Sequence, residues 1–127
     1  MVTHELDDGI RIAELVASEI TGHTDAPFDA LAVENADLDV EPTVDGARAY
    51  DVTHDGDVLA TVFVHPDRAH LELGLGLDEA RHVAEERHLR TRPKAVDPPR
   101  LLVFVENGAE AKRVLGVLAD AVAEQAD

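Results

Sequence analysis

The sequence predicts a two-layer α+β domain in which an antiparallel sheet packs helices on one of its faces. Three observations lead to this fold class. Apolar and polar residues alternate with a period of two from Ala47 to Leu75, two turn signals divide that stretch into three strands, and segments with helical spacing precede and follow it. Because 127 residues suit one domain, we expect a single domain over residues 1–127, in the order αβββαβα.

The first element is predicted to be a helix from about Asp8 to Thr21. Apolar residues recur at helical spacing from Ile10 to Ile20, an acidic pair ending at Asp8 can cap the start, and Gly22 can end the helix. A short apolar stretch follows at residues 28–33, beginning with Phe28, and it predicts an additional edge strand near that residue. The acidic segment 35–45 then reads as a loop.

The meander follows, with turns at Asp55-Gly56 and Pro66-Asp67. A two-residue turn at Asp55-Gly56 places four pairs of residues opposite each other on the two strands: His54 with Asp57, Val52 with Leu59, Tyr50 with Thr61, and Arg48 with Phe63. Because side chains alternate along a strand, this pairing divides the meander into two faces. The predicted core face comprises Ala47, Ala49, Val58, Ala60, Val62, Val64, Ala69, Leu71, Leu73 and Leu75.

The predicted outer face is the candidate functional surface. Its members are Arg48, Tyr50, Val52, Leu59, Phe63, His65, His70 and Glu72. Tyr, Phe and Arg are enriched at protein interfaces, and salt strengthens hydrophobic association. We therefore expect a non-enzymatic binding or assembly module that self-associates into a homodimer through this face. A small-molecule groove and a plain solvated face are the alternatives.

The second turn bears on a further alternative. Proline cannot adopt the positive φ of the usual two-residue hairpin turns, so the sequence favours a four-residue loop that places His65 directly opposite His70. In the alternative two-residue turn, the two histidines are diagonal neighbours within reach of each other. These two histidines with Glu72 are the candidates for a metal site or for a small enzyme. No third or fourth ligand at a regular spacing supports that site, so we expect no metal and no cofactor.

Three elements complete the prediction. Asp78 can cap a helix from Glu79 to about Leu89, ended by Pro93 at the latest. The apolar run Leu101–Val105 predicts a buried strand. Asn107, followed three residues later by Glu110, predicts the capped start of a last helix.

The segment 81–100 concentrates six of the eleven basic residues. Arg87, Arg90 and Arg92 are the candidates for an anion or nucleic-acid site. The acidic composition described below indicates a habitat of molar salt, and molar salt removes most of the affinity of basic residues for phosphate groups. The segment also has no aromatic residues for base stacking. We therefore expect these arginines to stabilise the structure, through ion pairs and the end of a helix.

The amino-acid composition and the absence of known motifs exclude several further classes of protein. The chain has no cysteine, which excludes a disulfide framework and a thiol nucleophile. Its acidic N-terminus lacks the pattern of a signal peptide, and it has no apolar stretch of membrane length, so we expect a cytoplasmic protein without membrane contact. No motif of a known catalytic class occurs, and we expect no enzyme.

The net charge is −16, from 27 acidic residues against 11 basic ones, and arginine outnumbers lysine nine to two. Aromatic residues make up only 3% of the chain. In composition the sequence resembles the small, uncharacterised acidic proteins of extremely halophilic archaea. The resemblance implies a habitat of molar salt, in which self-repulsion is screened.

Overall fold

A computed structural model describes residues 8–23, 25–26, 28–74 and 77–125. The helices are α1 (Gly9–Gly22), α2 (Leu77–Glu86) and α3 (Gly108–Gln125), and a short 3-10 helix spans Phe28–Ala30. The strands are β1 (Leu31–Glu34), β2 (Ala47–His54), β3 (Asp57–Val64), β4 (Ala69–Leu73), β5 (Thr91–Lys94) and β6 (Arg100–Val105). None of the helices in these ranges is long and apolar enough to cross a membrane.

The six strands form one antiparallel sheet in the order β1-β2-β3-β4-β6-β5. The helices pack on one face of it, and the hydrophobic core lies between the two layers. The α+β fold class and the order αβββαβα are thus confirmed, with two strands added at the edges. β1 is the edge strand expected near Phe28, whereas the sequence pattern does not predict β5.

The helix ends show where local sequence decides the fold. The side chain of Asp8 accepts a hydrogen bond from the Ile10 amide at 3.0 Å and caps α1. Asn107 accepts from the Glu110 amide at 2.9 Å and caps α3 as predicted, while Glu110 reaches back to the Glu106 amide. The Asp78 cap was wrong, because α2 already begins at Leu77 and Asp78 lies in its first turn.

The end of α2 also differs from the prediction. His88 adopts a left-handed backbone with φ 60°, so the helix ends before Leu89, which turns into the core. Pro93 lies within β5 rather than marking a helix end. An edge strand tolerates proline, because the residue needs to offer no amide hydrogen on the open side.

Two β-bulges correct the predicted faces of the meander. The expected pairs Arg48–Phe63 and His54–Asp57 are present at the two ends, but Tyr50 pairs with Val62, and Val52 with Ala60. The register shifts by one residue at Ala49 on β2 and shifts back at Leu59 on β3.

Three members of the predicted outer face therefore lie in the core. Tyr50, Val52 and Leu59 are 5%, 0% and 2% exposed and belong to the hydrophobic cluster. The Tyr50 hydroxyl donates to the carbonyl of Ala13 in α1 at 2.7 Å, and burial raises the pKa of Tyr50. Their assignment to the outer face was wrong because each bulge reverses the alternation of side chains.

The predicted core face needs one matching correction. Val58 is 53% exposed, since the bulge at Leu59 turns it away from the helices. Leu75 falls outside the described residues. The core comprises the other eight members, in part or in full: Ala47, Ala49, Ala60, Val62, Val64, Ala69, Leu71 and Leu73.

Candidate binding face and its buried histidine pair

The outer face is the side of the sheet against which none of the described helices packs. Strand pairing sets Arg48, Phe63, His70 and Phe104 side by side across it, and in the next row Asp51, Thr61, Glu72, Leu102 and Arg92. Lys94 and Arg100 stand opposite each other at the β5–β6 end. We use the term outer face for these eleven residues.

The turn between β3 and β4 is tighter than predicted. His65 and Arg68 flank the two residues Pro66 and Asp67, and the His65 amide donates to the Arg68 carbonyl at 2.8 Å. The expected four-residue loop was therefore wrong, and His70 pairs across the strands with Phe63. His65 lies diagonal to His70, close enough for the two rings to touch.

The two rings form what we call the histidine pair, His65 and His70, at the rim and centre of the outer face. His65 Nε2 lies 2.7 Å from His70 Nδ1. His65 Nδ1 lies 2.9 Å from the Val44 carbonyl, and His70 Nε2 lies 3.3 Å from Glu72 Oε2. A continuous chain of contacts thus runs from the β1–β2 loop through both imidazoles to a carboxylate.

The pair is enclosed although none of the helices α1, α2 and α3 covers it. His65 is 4% exposed and His70 2%. Phe63 stacks on His70 with ring centroids 4.9 Å apart, and the Phe104 ring centroid lies 5.7 Å from that of His70. Gly46 of the β1–β2 loop lies against the two histidine rings, so that a Cβ added to it would lie 3.0 Å from His70 Cε1.

Burial lowers the pKa of His70, because an imidazolium in this enclosure loses its hydration. The Glu72 carboxylate opposes that effect, but the net shift is downward. Glu72 is also held by Lys94, whose Nζ lies 3.4 Å and 3.5 Å from its two oxygens. Burial thus favours the neutral form of His70, beside a carboxylate that already has a cation.

A second polar network holds the β1–β2 side of the outer face. One oxygen of Asp51 accepts a hydrogen bond from Asn35 at 2.9 Å and lies 2.8 Å from the Arg48 guanidinium, while its other oxygen accepts from Thr61 at 3.0 Å. Burial acts to raise the pKa of Asp51, but these partners outweigh it and the net pKa lies below the ordinary range.

Basic side chains concentrate on the outer face and its rim. Arg48, Arg92, Lys94 and Arg100 belong to it, and the guanidinium groups of Arg68 and Arg90 lie 5.6 Å and 5.4 Å from the centroid of the Phe104 ring. These six are more than half of the eleven lysines and arginines in the chain. Arg48, Arg68, Arg90 and Lys94 each have a carboxylate partner, whereas Arg92 and Arg100 form no ion pair with any described residue.

The predicted anion site is divided by the fold. Arg87 follows the last residue of α2 and its guanidinium packs against Gly116 of α3, on the helical side. Arg90 pairs with Glu106 at 2.7 Å at the rim of the outer face, and Arg92 lies in β5. The structure therefore does not bring Arg87 together with the other two.

The three candidate metal ligands lie next to one another, but they form a row of successive contacts and do not surround a common point. His65 and His70 direct ring nitrogens at each other, and Glu72 lies beyond His70. Within the described ranges, no group of three or more His, Asp or Glu side chains is arranged to hold a metal ion.

Sequence reasoning missed several residues of the face. The sequence places Leu102 and Phe104 only within a buried strand, because five apolar residues in a row carry no alternation. Phe104 nonetheless faces His70 across the β4–β6 pairing. A signal for Lys94 and Arg100 exists in the basic segment, but only the unexpected strand β5 places them together.

The comparisons with known proteins give a family and no function. A protein-family model described as Family of unknown function (DUF7993) matches residues 1–127. No curated protein and no solved structure matches the chain.

Proposed function

The chain belongs to this family of unknown function, DUF7993, and from the geometry of the outer face we propose that it is a non-enzymatic binding module that self-associates through that face into a homodimer. The observation that carries the proposal is the balance of charge there. The outer face and its rim carry six basic side chains and the five carboxylates of Glu34, Asp51, Asp67, Glu72 and Glu106, in a chain whose net charge is −16.

Charge decides where two copies of this chain can approach each other. Molar salt screens the repulsion between acidic surfaces, but carboxylates that a second subunit covers must still lose their water, which is costly. The outer face and its rim are nearly neutral and most of their carboxylates already have a basic partner, so a contact there has the smallest desolvation cost. The helical side retains few bases; among them, Arg113 donates to the Arg87 carbonyl, and the guanidinium of Arg87 lies against Gly116 of α3.

The arrangement along the sheet fits a twofold contact. The β1–β2 end carries Glu34 and Asp51, and the β5–β6 end carries Arg92 and Arg100, which lack ion pairs among the described residues. A twofold axis parallel to the strands lays the acidic end of one copy over the basic end of its partner. Such a contact is self-complementary, and it supplies the missing partners of both arginines.

The centre of the face supplies the apolar contact. Phe63 and Leu102 are half-buried, and the ring of Phe104 lies close to two guanidinium groups. An aromatic centre with arginines around it matches the composition of protein interfaces. The loss of Tyr50, Val52 and Leu59 to the core leaves Phe63 as the principal anchor.

Phe63→Asp tests the proposal directly. In a dimer the introduced carboxylate would be desolvated, which costs several kcal/mol and is enough to separate an ordinary interface. We expect light scattering in molar salt to give a dimer for the wild type at high micromolar concentration, and a folded monomer for Phe63→Asp. Leu102→Asp should behave in the same way, and it serves if Phe63→Asp fails to fold.

The matched control is Leu38→Asp. Leu38 is 93% exposed in the β1–β2 loop and lies outside the outer face, so the same change of an apolar residue to aspartate should leave the dimer intact. A wild type that is monomeric throughout would overturn the proposal. Wild-type binding of nucleic acid in molar salt, lost in Arg92→Gln, would instead make the outer face an anion-binding surface.

We further propose that the whole chain works as one domain in the cytoplasm of an extremely halophilic archaeon. One sheet and one connected core support the single domain. The balance of 27 acids to 11 bases, with arginine favoured over lysine, supports the habitat. Salt-dependent stability, discussed below, tests the second point.

A further inference from the structure

The contacts of the histidine pair require more hydrogens than two neutral imidazole rings carry. Three close contacts run along the chain from the Val44 carbonyl to Glu72, and each needs one hydrogen to be a hydrogen bond. Both end groups, a carbonyl and a carboxylate, are acceptors. Two neutral imidazoles carry only two N–H groups between them. One hydrogen is therefore missing while both rings are neutral.

The end partners determine where the gap lies. The Val44 carbonyl requires a hydrogen on His65 Nδ1, at 2.9 Å. The neutral His65 then accepts through Nε2 from His70 Nδ1–H at 2.7 Å. His70 Nε2 is left without a hydrogen and faces Glu72 Oε2 at 3.3 Å, the longest of the three contacts.

The same geometry limits the pair to one added proton. A proton on His70 Nε2 completes the third hydrogen bond and leaves the other two unchanged. A second proton would have to enter at His65 Nε2, where it would meet His70 Nδ1–H across 2.7 Å. The pair can accept that proton only by breaking the contact between the rings.

We propose that His70 Nε2 and Glu72 form a binding site for a single proton at the centre of the outer face, and that its occupation weakens self-association through that face. The second half of this inference rests on the proposed dimer. The first half concerns the single chain and stands independently of it.

The surroundings of the site explain the coupling. Lys94 from β5 already holds Glu72, Arg68 and Arg90 lie over Phe104, and Arg48 lies beyond Phe63. The acidic residues next to these arginines already form ion pairs with them; they are Asp51, Asp67 and Glu106. A proton on His70 adds a positive charge among cations at the centre of the face, and in a twofold contact the second subunit brings an equal charge towards it.

The direction in which dimerisation changes with pH follows from the pKa of His70, which burial lowers below its ordinary value. The site is therefore empty at neutral pH and fills only as the pH falls below about 6.5, the ordinary value for histidine. Association, which disfavours the charged form because it brings like charges together, releases the proton. The dimer is thus intact above that pH and weakens as the pH falls.

The experiment joins two measurements on the full chain in molar salt. Nitrogen-15 NMR of the imidazole rings should show hydrogens on Nδ1 of both histidines at pH near 8, and a proton added at His70 alone on acidification. Sedimentation should show the dimer dissociation constant rising with acid by up to about 100-fold per pH unit, because two sites empty per dimer.

Glu72→Gln provides the decisive variant. Its side-chain amide can donate to His70 Nε2 and supply the missing hydrogen without a proton. The pH dependence of dimerisation should therefore disappear, whatever the variant's affinity. His82→Gln removes a histidine from the exposed surface of α2, away from the outer face, and should retain the wild-type pH dependence.

The outcomes separate the two proposals. Joint protonation of both rings would overturn the single-proton site. A wild type that stays dimeric while His70 titrates would overturn the coupling, and so would an unchanged pH dependence in Glu72→Gln. A wild type that is monomeric at every pH would overturn the dimer and the coupling together, whereas the NMR titration would still decide the site.

Discussion

At Gly46 the β1–β2 loop meets the histidine pair through backbone alone. Its φ of 98° suits glycine, and a Cβ would lie 3.0 Å from His70 Cε1 and 3.2 Å from two atoms of the His65 ring. Any side chain would thus encounter both backbone strain and the rings. A surface loop in this acidic chain closes over two imidazoles because this position has no side chain.

Gly46→Ala should therefore destabilise the fold more than backbone strain alone does. Gly56→Ala is the matched control, since Gly56 has φ 89° but a Cβ added there would meet no heavy atom within 4 Å. We expect each change to cost about 1 kcal/mol of strain, and Gly46→Ala to cost about 1 kcal/mol more. Thermal unfolding in molar salt measures the difference. Equal losses would mean that the loop yields without disturbing the histidine pair.

Among the elements, β2 and β3 show what a sequence pattern can and cannot predict. Turn chemistry at Asp55-Gly56 correctly predicts the pairs at both ends of the hairpin. The two bulges at Ala49 and Leu59 cancel over the length of the strands, so neither the strand lengths nor the end pairs reveal them. Only packing against α1, where Tyr50 reaches the Ala13 carbonyl, selects the bulged register.

The strand β5 escaped prediction for a different reason. Its sequence, Thr-Arg-Pro-Lys, has no apolar alternation and contains a proline, and its pairing with β6 alone makes it a strand. The basic corner of the outer face depends on that pairing. The candidate site could therefore be predicted at its centre, around His65, His70 and Glu72, but not at its basic end.

The cap of α3 gives a prediction at the same scale. Asn107→Ala removes the acceptor for the Glu110 amide and should lower the free energy of unfolding by about 1 kcal/mol. Asn107→Asp keeps an acceptor at the position and should retain most of the stability. Denaturant titrations of both variants in molar salt provide the measurement. Equal stability of Asn107→Ala and the wild type would show that the cap contributes nothing.

For the whole molecule, the net charge of −16 sets the conditions under which the core can hold the chain together. The Debye length falls from about 10 Å at 0.1 M salt to about 3 Å at 1 M, which screens most repulsion between surface carboxylates. We expect the melting temperature to rise between these two conditions at constant pH, as followed by circular dichroism. Equal melting temperatures would contradict the halophilic origin.

The two edges of the sheet differ in a way that bears on aggregation. β5 presents Pro93 and Lys94, and both residues discourage the addition of a further strand, whereas β1 carries neither proline nor lysine. A foreign or partly unfolded strand should therefore extend the sheet more readily at β1 than at β5. Edge-to-edge growth is then disfavoured after one addition, and the protected edge hinders the propagation of a fibril from native sheets placed side by side.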